Sequence, residues 1–300
     1  MANTVLIPAA FTAAPASAPD SRTSCLRSVI ALNDYFEQVD LAYQTLKGPA
    51  LERRLRELAD RCRAEYGGRD ALYASMLNEL GSYYRGQGRY EESERTFREA
   101  LELLAQSRGT DSPDYATALN NLAGTHRLMG RLEEAEREFA ACLTLYRQTL
   151  GEGHILYAAG LNNLSLVCLD LGDLERAAEL QSRAARVLET MPDRRDELAS
   201  ALCNLGELRR RQGRPEEAEH CLLRALELFQ RELGMDTPHY HAALNGLGVL
   251  CYEEGRYEEA CRWFLDAAAA AEKLYGSEHR EQQAALEHLC MARRAAETEA

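Results

Sequence analysis

Two interleaved series of glycines set a beat of about 42 residues along this chain, and that beat constrains its fold more than any other feature. Gly88, Gly130, Gly172, Gly213 and Gly255 are spaced 42, 42, 41 and 42 residues apart. A second series, Gly67, Gly109, Gly151, Gly234 and Gly276, keeps the same period and misses only where Met191-Pro192 intervenes. Two helix breakers per period mean two helices per repeat, so the spacing predicts an all-α array of antiparallel helix pairs. Such an array buries its apolar faces against its neighbours and presents a long surface rather than a single pocket.

Each position of the repeat has a physical reason. The first helix carries Leu77-Asn78-Glu79-Leu80-Gly81, Leu119-Asn120-Asn121-Leu122-Ala123, Leu161-Asn162-Asn163-Leu164-Ser165, Leu202-Cys203-Asn204-Leu205-Gly206 and Leu244-Asn245-Gly246-Leu247-Gly248. Leucines three apart share a helix face and make the core. The Gly, Ala or Ser that follows implies that two helices cross closely there. After the glycine turn, Gly88-Arg89-Tyr90-Glu91-Glu92, Gly130-Arg131-Leu132-Glu133-Glu134 and Gly255-Arg256-Tyr257-Glu258-Glu259 open the second helix with acidic residues suited to its positive end. Pro215 takes the aromatic position in the fourth unit, where a first turn loses no hydrogen bond. Small residues at Ser93, Ala135, Ala177, Ala218 and Ala260 precede a bulky plug at Phe97, Phe139, Leu222 and Phe264, with Gln181 the exception.

This motif resembles the tetratricopeptide repeat (TPR), in the 42-residue form found in kinesin light chains and in many bacterial proteins. The resemblance covers residues 71–280, five repeats. It implies a right-handed superhelical solenoid. Residues 25–70 read as a divergent first repeat with a second helix starting near Ala50, and residues 281–300 as a capping helix and tail. Residues 1–24 are rich in Ala, Pro, Ser and Thr. No basic residue precedes Arg22, and Pro8 and Pro15 interrupt the apolar stretch, so they read as a disordered tail rather than a signal peptide.

Composition narrows the function. The chain is 46% hydrophobic and 28% charged with a net charge of -13, which argues against nucleic acid and against anionic membrane surfaces. No run approaches the roughly 20 apolar residues of a membrane span. Of 35 basic residues only Lys47 and Lys273 are lysine, which fits the coding bias of a GC-rich, bacterial genome. The nine cysteines include no C-x-x-C pair and read as buried, reduced thiols of a cytoplasmic protein. The seven histidines are scattered. His239 and His241 sit two apart at a helix start, where their rings diverge, and no catalytic triad, metal set, cofactor motif or P-loop is expected.

The TPR resemblance implies that first helices line a concave groove and that the first Asn of L-N-N-L-A bonds the backbone of an extended peptide. By position that role falls to Asn78, Asn120, Asn162 and Asn245, with Cys203 the departure; Asn121, Asn163 and Asn204 are expected to be structural or at the groove floor. An amide donates and accepts at once, so a ladder of them reads backbone without demanding a sequence. The alternative is that these asparagines bond neighbouring helices. One and two turns further along stand Ser82 and Arg85, Gly124 and Arg127, Leu166 and Leu169, Glu207 and Arg210, Val249 and Tyr252. Arg85, Arg127 and Arg210 would form a basic stripe, and Leu166, Leu169, Val249 and Tyr252 apolar patches. Together these suit a protein or peptide partner with acidic and hydrophobic residues. A clamp for a free C-terminal carboxylate, which other family members build with Lys, is not supported. The leading reading is an adaptor that binds an extended segment of another protein. A regulatory sensor gated by a short peptide or by the chain's own tail, and a self-associating scaffold, are the alternatives.

Overall fold

The computed structural model describes residues 22–68 and 71–299, with side chains for 34–68 and 71–298. Most of the expected disordered tail, 1–21, lies outside the described residues. Arg22, Thr23 and Ser24 already belong to the first helix. Every regular element among the described residues is a helix, and the helices pack as consecutive pairs.

The chain divides into two compact units at Gly151 and Glu152. In the first, α1 (Arg22–Thr45) and α2 (Gly48–Tyr66) form the divergent pair, followed by α3 (Ala71–Gly86) with α4 (Tyr90–Ser107) and α5 (Pro113–Leu128) with α6 (Leu132–Thr149). In the second, α7 (Ile155–Asp170) pairs with α8 (Leu174–Glu189), α9 (Arg195–Arg211) with α10 (Pro215–Leu228), and α11 (Pro238–Glu253) with α12 (Tyr257–Tyr275). A π-turn, Phe229–Leu233, prolongs α10, and α13 (Arg280–Glu299) packs on α12. The five central pairs coincide with the five repeats.

Both glycine series work as expected. Gly88 at φ +72° and Gly276 at φ +94° hold conformations that L side chains rarely adopt. After α3, Arg89 N–H reaches back to the Tyr84 carbonyl and Gly88 N–H to that of Arg85, closing the helix end. The next helices start on side chains at one register: Ser112, His154 and Thr237 accept from the backbone N–H of Tyr115, Leu156 and Tyr240, and His279 accepts from that of Glu281.

The small-and-bulky pairing is a contact between helices of one repeat. A Cβ on Gly81 would stand 2.8 Å from the Phe97 ring, one on Gly206 2.7 Å from Leu222, and one on Gly248 2.5 Å from Phe264. These plugs are buried. The exception, Gln181, is buried too, and its Nε2 donates to the Ala201 carbonyl on α9 at 3.2 Å.

Candidate functional site

The asparagines of the first helices form inter-helix amide contacts with a fixed register. Asn121 on α5 donates its Nδ2 to Oδ1 of Asn78 on α3 at 3.0 Å. In the second unit Asn204 on α9 donates to Oδ1 of Asn162 on α7 at 3.2 Å, and His288 Nδ1 on α13 lies 3.1 Å from Oδ1 of Asn245 on α11. Each contact therefore joins the first Asn of one repeat to a residue 42 or 43 positions on. The first Asn spends its carbonyl on the neighbouring helix. In Asn162 and Asn245, which are half-buried, the Nδ2 donors take no part in these contacts. Where Cys203 replaces the first Asn, its thiol is buried and lies 3.8 Å from the His239 carbonyl.

The expected site residues do not share one environment. Asn120, Asn162 and Asn245 are half-buried, as are Arg127, Leu169 and Tyr252. Asn78 and Leu166 are buried, Leu166 among the core residues of its unit. Tyr252 packs on Tyr257 with ring centroids 5.3 Å apart.

The arginine stripe differs from expectation. Arg85 is 4% exposed; its Nη1 donates to the Asn121 carbonyl at 2.9 Å, and a Cβ on Gly124 would stand 3.0 Å from that nitrogen. Gly124 thus leaves room for the guanidinium. Arg210 is held by Glu207 through Nε and Nη2, at 2.9 and 2.8 Å, and by Glu253 at 2.5 Å. A repeat pattern shows that a position carries Arg but not whether neighbouring carboxylates already engage it. Arg85 is buried and Arg210 is already paired with two glutamates, so these two arginines give no reason to favour an acidic partner.

Burial changes the ionisation of this face in the first unit. Desolvation, with the neighbouring charge of Asp40, pushes Glu79 up to about 7 against the pull of Arg85. Desolvation likewise brings Arg85 down to about 10 despite Glu79 and Tyr43. Motif matching does not find Glu79, because it occupies the variable second-Asn position and its environment is supplied partly by α1.

Sequence reasoning also missed a second device. The Arg of three G-R turns joins two repeats: Arg89 bonds Glu92 and reaches Glu52 at 2.6 Å, Arg131 bonds Glu134 and reaches Glu94 at 2.9 Å, and Arg256 bonds Glu259 and reaches Glu219 at 3.0 Å. The signal was available, since Glu52 and Glu94 lie 42 residues apart.

A model of the tetratricopeptide repeat family matches residues 50–106, 72–148, 114–190 and 197–273. Solved structures with a similar fold include a Podosopora anserina protein of kinesin light chain type with nearly identical TPR-like repeats (18% identity, 72% of this chain and 96% of that one, TM-score 0.58). BtubC (BKLC) of P. vanneervenii is similar at 18% identity over 88% of this chain and 92% of its own, TM-score 0.56. A thermophilic TPR protein of Thermus thermophilus follows at 22% identity, 72% and 99% coverage, TM-score 0.52. At these identities the likeness concerns the fold. A search of curated proteins finds no significant match. No helix among the described residues is long and apolar enough to cross a membrane. The glycine beat, the helix pairs and the matched segments agree that the chain belongs to the tetratricopeptide repeat family.

Proposed function

We propose that this protein is a protein–protein interaction scaffold whose first-helix faces bind an extended segment of a partner. The observation that carries this reading is the fixed use of the asparagine amide. One end is anchored on the next helix, so the other end is held at a set orientation on a half-buried face. An oriented donor loses little entropy on meeting a peptide carbonyl, and several such donors at one spacing match a regular backbone. Each bond contributes about 0.5–1.5 kcal/mol net, so Leu169, Val249 and Tyr252 are needed as apolar anchors. The kinesin light chain type of the similar structures fits a scaffold role. With Arg85 and Arg210 engaged internally, a hydrophobic segment suits this face better than an acidic one.

The test is selection of random linear peptides on the full chain, followed by competition with variants. Asn162→Asp keeps an oxygen for Asn204 but removes the Nδ2 donors. Selected peptides are expected to share apolar positions and to lose affinity for this variant. Peptides that bind the wild type and Asn162→Asp equally would refute the amide role.

A further inference from the structure

The third pair departs from the repeat in two positions at once, and the two meet in space. Where the other units carry Tyr84, Cys168, Arg209 and Cys251, this one carries His126 on α5. Where they carry Thr96, Leu180, Cys221 and Trp263, it carries Glu138 on α6. The His126 ring is completely buried, with Nδ1 2.7 Å from Glu138 Oε2 and 3.8 Å from Glu134 Oε1. Its other nitrogen, Nε2, lies 3.2 Å from Glu94 Oε1 on α4.

We propose that His126 Nδ1, Glu134 and Glu138 form a binding site for one divalent transition ion, with zinc the best fit. Imidazole nitrogen with two carboxylates is a donor set that zinc accepts, and three protein ligands leave a fourth position for water. Two donors on one tetrahedral zinc stand roughly 3.3 Å apart. The present separations of 2.7 and 3.8 Å bracket that value, and all three ligand atoms lie within 4.8 Å of one another. Glu134 and Glu138 are one helical turn apart and share a face of α6.

The surroundings support a ligand role. Nδ1 and Nε2 both face carboxylates, Glu138 at 2.7 Å and Glu94 at 3.2 Å; a metal would displace the Nδ1 proton, with Glu94 accepting from Nε2 as carboxylates behind metal-bound histidines do. Arg131 holds Glu134 Oε2 through Nε at 2.8 Å, leaving Oε1 toward the ring. Arg131 also bonds Glu94, and Arg98 bonds Glu94 at 2.8 Å and stands 4.0 Å from Glu134 Oε1. Three carboxylates thus meet two guanidiniums, one of them largely exposed, and the unmatched negative charge at the wider gap between Nδ1 and Glu134 favours a further positive one. The Glu134 side chain, 31% exposed, gives that gap a side open to solvent.

A related trio in the second unit, Glu219, Cys251 and Glu259, occupies the register of Glu94, His126 and Glu134, with Trp263 at the Glu138 position. There a thiol replaces the imidazole, and the Arg256 guanidinium bonds both carboxylates. That trio provides the control.

The test uses the reduced full chain with Zn²⁺ alone, titrated against a chromophoric chelator, with thermal melting in parallel. One equivalent is expected to leave the chelator for the protein and to raise the melting temperature. Glu134→Gln and Glu138→Gln, which keep the side-chain shape, are each expected to weaken zinc binding about tenfold or more, while Cys251→Ser leaves it unchanged. Failure of the wild type to take zinc from the chelator would overturn the site, leaving the gap to a proton alone. Full zinc affinity in folded Glu138→Gln would also overturn it and assign the metal to cysteines.

Discussion

The side chains of Asn78 and Asn121 meet at 3.0 Å between two first helices, both nearly out of contact with water. The Asn121 carbonyl beside them accepts from the buried Arg85 guanidinium. Replacing Asn121 by Leu removes the donor and leaves Asn78 Oδ1 in the core without it. A stranded buried acceptor costs about 1–3 kcal/mol. Urea unfolding of Asn121→Leu should show that loss; an unchanged midpoint would mean that water replaces the amide.

Gly248 and Phe264 provide a steric prediction. A methyl at Gly248 would lie 2.5 Å from the ring, so Gly248→Ala should destabilise by about 1–3 kcal/mol. Gly246, two positions away, places its Cβ no closer than 3.3 Å to Leu222, and Gly246→Ala should cost clearly less. Chemical denaturation of the two variants side by side checks the difference.

Glu79 makes stability depend on pH. Its folded pKa of about 7 lies above its ordinary 4.5, so the folded state holds the proton more tightly than the unfolded state. The associated stability is complete below about pH 4.5 and is lost as pH rises through about 7. Glu79→Gln should flatten that segment of the stability curve and raise the melting temperature at pH 8 more than at pH 5. Parallel curves for the two proteins would contradict the assignment.

The thiols should sort by burial. Desolvation pushes Cys203 up to about 12 and Cys251 up to about 11, and holds Cys142 well above its ordinary value. Cys290 is exposed. Because the thiolate is the nucleophile, maleimide on the native chain at neutral pH should label Cys290 and spare Cys142, Cys203 and Cys251. Peptide mass analysis reads the pattern.

The fold was legible because helix pairing depends on local features that recur. Positive-φ glycines, leucines three apart and the small-and-bulky contact of Gly81 with Phe97 all leave marks in the sequence. The site was legible only in part. Asn162 and Asn245 could be placed by register, but that Asn204 and His288 occupy their carbonyls depends on how successive helices are staggered. Arg85 and Arg210 look alike in the repeat. One is buried because Gly124 makes room for it, the other is neutralised by Glu207 and Glu253, and neither neighbour belongs to the motif. The cluster at His126 was missed because its members come from three helices, and the short spacing of Glu134 and Glu138 alone is that of any solvated helix face.

The central claim is that oriented asparagine donors on the first helices hold an extended peptide. Calorimetric titration of a selected peptide into wild type and into the double variant Asn162→Asp with Asn245→Asp tests it most directly. Each lost bond is worth about 0.5–1.5 kcal/mol, so two should weaken binding about fivefold or more while the melting temperature and helicity stay close to wild type. Equal affinity in the folded double variant would contradict the claim and leave these amides as contacts between helices alone.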